Sequence, residues 1–88
     1  MKTFEITYAP KFIKNLKKIK GELKEEILNR VEMLANESNH EMLRVHKLKG
    51  RLKDRYSFSI DYKHRIVFVY LDEYTIYLLN FGGHGVYN

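Results

Sequence analysis

Eighty-eight residues carry 16 Lys and Arg against 11 Asp and Glu, a net charge of +5, with 44% apolar residues, 14% aromatic residues and no cysteine. That is enough chain for one domain, residues 1–88, with a single modest core: roughly 60–65% of the unfolded surface is buried on folding, which excludes a deep cofactor pocket and leaves any active site on an open surface. The lack of cysteine excludes disulfide scaffolds, zinc knuckles and thiol catalysis, and the longest apolar run, Ile66 to Leu71, is far short of the roughly 20 residues of a membrane helix. Met1–Pro10 lacks the apolar stretch of a signal peptide, so the cytoplasm is the expected location and no membrane partner is expected.

In chain order, Lys2–Tyr8 alternates, with Phe4, Ile6 and Tyr8 on one face and Thr3, Glu5 and Thr7 on the other, as in a half-buried strand. Pro10 suits the first turn of a helix, and Phe12, Ile13, Leu16 and Ile19 recur at helical spacing up to Gly21, which predicts a helix over 10–20. Leu23, Ile27, Val31, Leu34 and Ala35 form a second stripe and predict a helix over 22–38. So short a connection implies an antiparallel αα-hairpin. Residues 37–53 show little regular pattern beyond a turn at Gly50. Tyr56, Phe58, Ile60 and Tyr62 then alternate with Ser57, Ser59 and Asp61, and the apolar stretches Ile66–Leu71 and Thr75–Phe81 follow after hairpin-length connections. The expected class is α+β, in the order β-α-α-β-β-β, with the helix pair on one face of a four-stranded antiparallel sheet and the other face partly open.

The positive charge is concentrated. Residues 44–65 hold eight Lys and Arg against two Asp and Glu, residues 1–43 hold eight against seven, and residues 66–88 hold none against two. The run Arg44, Lys47, Lys49, Arg51, Lys53 and Arg55 spreads cations along a surface that a phosphate backbone can track, and it reads equally as a solvated basic loop. No nucleophile elbow or phosphate-cradling glycine loop is present, and Gly82-Gly83-His84-Gly85 has no helix after it to point amides at a phosphate. His40, His46, His64 and His84 contain no i,i+4 pair, so neither a metal site nor a cofactor is expected. Acid–base chemistry on a basic surface remains. RNA self-cleavage asks for a base on the ribose 2′-OH, a fixed cation at the phosphorane and an acid for the departing 5′-oxygen. His46, Arg65 and His84 or Tyr87 carry the required groups, although Arg65 is equally suited to a salt bridge with Asp61.

Val45-His46-Lys47-Leu48-Lys49-Gly50, Tyr56-Ser57-Phe58-Ser59-Ile60, His64-Arg65-Ile66-Val67-Phe68 and Gly83-His84-Gly85-Val86-Tyr87 together resemble the RelE/ParE toxin superfamily of type II toxin–antitoxin modules, nearest in look to its YoeB and YafQ branches. The resemblance covers nearly the whole chain. It implies a small α+β domain with a curved antiparallel sheet, and an mRNA endoribonuclease acting in the ribosomal A site. It further implies His46 as general base, Arg65 on the scissile phosphate, His84 as general acid and Tyr87 as a terminal aromatic for stacking or proton transfer. Lys47, Lys49, Arg51, Lys53, Arg55 and Lys63 would hold mRNA or ribosomal RNA. The chain departs from RelE itself, which has catalytic lysines where Tyr56 and Phe58 stand. The resemblance also implies a cognate antitoxin as partner, and it admits a ParE-like gyrase inhibitor or a non-catalytic member as alternatives.

Overall fold

The computed structural model describes residues 2–52, 54–83 and 86. The chain runs β1 (Glu5–Tyr8), α1 (Pro10–Lys17), α2 (Glu22–Leu34), α3 (His40–Leu43), β2 (His46–Lys47), β3 (Tyr56–Ser59), β4 (Arg65–Asp72) and β5 (Thr75–Gly82), with single 3₁₀ turns at Glu37–Asn39 and Gly50–Leu52. One sheet in the order β1-β5-β4-β3-β2 contains every strand. The α+β class and the meander of the last three strands are as expected. Two features are new. A fifth strand, His46–Lys47, extends the sheet from within the stretch that had little pattern, and β1 joins parallel to β5 where an antiparallel pair was expected.

Local partners explain the shorter elements. Because β5 begins at Thr75, only Glu5 onward finds a strand partner; the Phe4 N–H donates to Ala35 and the Glu37 N–H to Lys2, which ties the first residues to the end of α2 instead. Helix α2 stops at Leu34 rather than near residue 38, as Asn36 turns extended (φ −108°, ψ 116°) and its side chain caps the 3₁₀ turn by accepting from the Ser38 N–H. Helix α1 starts at Pro10, whose missing N–H costs nothing there, and Gly21 takes φ +71° at the head of α2, a conformation cheap only for glycine.

The core lies on one face of the sheet. Phe12 from α1 and Ile27, Val31 and Leu34 from α2 pack on Phe58, Ile66, Phe68, Ile76, Leu78 and Phe81. Helix α1 lies against β5, where Phe12 meets the Phe81 ring edge-on at 5.2 Å and the Asn15 side-chain N–H donates to the Asn80 side-chain oxygen at 2.6 Å. The opposite face is less open than its pattern suggests. Ser57 and Val67 are both sealed from solvent, and Val86 returns over Gly82 to line a cavity of about 330 Å³ with Lys11, Arg55, Val67, Leu79 and Asn80.

The β3–β4 connection is held by one carboxylate. Asp61 accepts from the backbone N–H groups of Lys63 and His64 at 2.8 Å and from the His64 ring at 3.0 Å, while the Ile60 N–H donates to the His64 carbonyl. Burial pulls the Asp61 carboxyl upward, but those hydrogen bonds outweigh it and hold the pKa below its ordinary value. A carboxyl depressed in the folded state adds stability that is present above the unfolded value, about 3.9, and is lost as pH falls through the folded one. Asp61→Asn should therefore lower stability at neutral pH, and its deficit against wild type should shrink as pH drops below about 4 in urea titrations. A deficit unchanged by pH would exclude the charge. Phe12→Ala should cost about 3–5 kcal/mol, a large share of the stability of so small a domain, while Tyr62→Ala, at a side chain 84% exposed, should change it by less than about 0.5 kcal/mol in the same assay.

Candidate active site

Arg65 opens β4 at the centre of the sheet. Its backbone pairs with Ser59 of β3 on one side and Gly82 of β5 on the other, and the Asp61 turn fixes where that register starts. The side chain is half-buried, and its Nη1 is sealed from solvent with no hydrogen-bond partner among the described residues. The sequence offered Asp61 as a partner for Arg65; the structure gives that carboxylate to His64, and places the Lys63 ammonium 5.5 Å over the Tyr62 ring. An unpaired donor in a sealed position costs roughly 1–3 kcal/mol, and the half-buried guanidinium that carries it is a group suited to an anion.

His46 stands on the same face. Paired residues of an antiparallel ladder point the same way, so the pairs His46/Ser57 and Ser59/Arg65 align His46, Ser57, Ser59 and Arg65 opposite the core-facing Phe58 and Ile66. His46 and Arg65 lie two strands apart, a lateral separation of about 10 Å. The His46 ring is exposed, with Nδ1 3.0 Å from the Arg44 carbonyl. A carbonyl only accepts, so Nδ1 is the donor in this contact and Nε2 is the ring nitrogen left to face solvent or a ligand. Arg44 makes this contact from a left-handed conformation (φ 59°, ψ 43°) at the C-terminal end of α3, where its N–H donates to the Glu41 carbonyl and the Val45 N–H to that of His40.

The remaining cations divide into two groups. Lys47, Lys49 and Arg51 are exposed on β2 and the 3₁₀ turn, a loop braced by the Leu48 N–H donating to Arg55 and the Arg55 N–H to Leu52. Arg55 is set apart: it is half-buried and faces the cavity beside Val67 and Asn80. Lys63 is exposed in the β3–β4 turn. Lys53, His84 and Tyr87 lie outside the described residues. His64, bound to Asp61, lines a different cleft with Glu22, Leu23 and Glu26 and stands apart from the Arg65 face.

Two further arginines escaped the sequence reading as site residues. A groove of about 480 Å³ opens beside His46, with Met33, Met42 and Leu43 as its apolar floor; Arg30 of α2 and Arg44 line it, and Ser59 connects it to Arg65. Arg44 belonged to the basic run, but nothing in an arginine announces a left-handed backbone, and Arg30 reads as one ordinary cation of a helix face.

No sequence-family model and no curated protein matches the chain. Solved structures do. The fold is similar to that of the Staphylococcus aureus YoeB–YefM complex (TM-score 0.74, 22% identity, covering 92% of this chain and 97% of that one) and of the Escherichia coli DinJ–YafQ toxin–antitoxin complex (0.74, 16%, 96% of each). It is also similar to the archaeal RelE–RelB complex of Pyrococcus horikoshii (0.72, 20%, 94% and 97%). The chain therefore shares the fold of these YoeB, YafQ and RelE structures.

Proposed function

We propose that this chain is the toxin of a type II toxin–antitoxin pair and cleaves mRNA on the ribosome as an endoribonuclease. The observation that carries the reading is the half-buried Arg65, its Nη1 without a hydrogen-bond partner among the described residues, on the sheet face that also presents His46 with its Nδ1 tied to the Arg44 carbonyl. The solved toxin–antitoxin complexes of the same fold support a cognate antitoxin as partner.

The steps follow from the groups. His46 Nε2 removes the proton of the ribose 2′-OH, and the 2′-oxygen attacks the adjoining phosphorus. Arg65 grips the non-bridging oxygens through its free N–H groups as negative charge builds on them. The 5′-oxygen leaves with a proton from an acid, and a 2′,3′-cyclic phosphate remains on the upstream fragment. His84, two residues after the Gly82 that pairs with Arg65, is the proposed acid, with Tyr87 as a terminal aromatic for stacking or proton transfer. Lys47, Lys49, Arg51, Lys53, Arg55 and Lys63 hold flanking phosphates, and the cytoplasm supplies the substrate.

Arg65→Ala and His46→Ala should each lower cleavage of mRNA on translating ribosomes by about 10²–10³-fold. Arg65→Met separates function from structure: removing the unpaired donor should leave the protein as stable as wild type or more stable by about 1 kcal/mol, yet inactive. Intact mRNA together with inhibition of DNA gyrase by the wild-type chain would replace this reading with a ParE-like one.

A further inference from the structure

We infer that the groove between α2, α3 and β2 is a nucleotide subsite, which takes the base next to the scissile phosphate on its apolar floor and the following phosphate between Arg30 and Arg44. The inference rests on the proposed reading of the His46–Arg65 face and adds to it a site of defined chemistry. The volume, about 480 Å³, lies in the range that small-molecule ligands fill. Its floor, Met33, Met42 and Leu43, is polarisable and adaptable, and Met42 is 65% exposed with its side chain uncovered.

The charge at the mouth selects the occupant. Neither Arg30 nor Arg44 has a carboxylate within ion-pair distance among the described residues, although Glu26 and Glu41 stand nearby in sequence on the same helices. Two free guanidinium groups over an apolar floor fit a flat apolar group that carries an anion, the composition of a nucleotide. Position supplies continuity. Ser59 and His46 border the groove at the β2 edge of the sheet, and Ser59 pairs with Arg65, one strand spacing or about 4.8 Å away, so a chain gripped at Arg65 reaches the groove around that edge. The left-handed Arg44 backbone serves both ends of this path, because its carbonyl orients His46 while its side chain borders the groove.

The test uses the full chain with methyl-labelled methionine and an RNA trinucleotide bearing a 2′-deoxy residue at the cleavage position, which removes the nucleophile and leaves binding alone. Saturable shifts of the Met33 and Met42 methyl resonances are expected. Arg30→Gln with Arg44→Gly should weaken binding at least about tenfold and reduce the log–log salt slope by about 0.7 for each lost phosphate contact. Glycine keeps the left-handed backbone, so the His46 contact survives in that variant. Unmoved methionine resonances, or an affinity and salt slope unchanged in the double variant, would overturn the inference while leaving the Arg65 reading intact. Trinucleotide binding in the groove by a protein that never cuts mRNA would sustain the subsite and sink the endoribonuclease. An acidic, leucine-rich peptide that shifts the methionines where the trinucleotide does not would make the groove a protein-docking surface and end the proposal.

Discussion

Ile66, Val67 and Phe68 are three consecutive residues of the central strand, all sealed from solvent, and the rest of the molecule is arranged by that fact. A strand buried on both faces needs cover on both faces. The helices supply it over Ile66 and Phe68, and the returning Val86 with Arg55 and Lys11 supplies it over Val67. The seal ends at Arg65. A guanidinium one residue outside it keeps its stem packed and one terminal nitrogen sealed, with the Asp61 turn behind it and glycine across the ladder at position 82. The same hydrophobic burial that stabilises the domain thus holds an unpaired cation in a fixed place.

Alternation along Tyr56–Ser59 and the apolar run of β4 were plain in the sequence because side chains of period two and long buried runs are local signals. The parallel docking of β1 was not, since it depends on where β5 starts and on α2 ending early at a side-chain cap. The two-residue β2 was hidden for a related reason: His46 and Lys47 are both exposed, so no alternation marks them, and only the ladder to Ser57 and Tyr56 makes them a strand. The site was legible to the extent that its chemistry resides in residue types. Arg65 and His46 stood out as a candidate cation and a candidate base, but the orientation of the His46 ring depends on a carbonyl turned by Arg44, and backbone direction at a non-glycine left-handed residue leaves no trace in composition.

Electrostatically, the described lysines and arginines stay outside ion pairs. Among the described residues the only ion-pair contact within 4.0 Å joins Asp61 to His64, and no Lys or Arg takes part in one. Surface pairs would add little stability in any case, so their absence costs the fold almost nothing. It does have a consequence for binding. Each unpaired cation repels its neighbours in the free protein and is neutralised by an anionic partner, so charge crowding between residues 44 and 65 is relieved by complex formation and screened by salt.

An open face on a small domain also limits what its groups achieve alone. Water around an exposed His46 and the mouth of the Arg30–Arg44 groove keeps the local dielectric high, where a guanidinium–phosphate contact is worth far less than in a covered site. Among the described residues no element lies over them. On the proposed reading the cover has to come from the complex itself. A ribosome packed against the basic loop would exclude water from the Arg65 face, fix the nucleotide beside it, and raise the electrostatic contribution just where the phosphorane forms. An antitoxin that covers the same face would use the same attraction to the opposite end, satisfying Arg65 with a carboxylate and leaving no room for phosphate. Activity and neutralisation then depend on one guanidinium, and they differ only in which anion it grips.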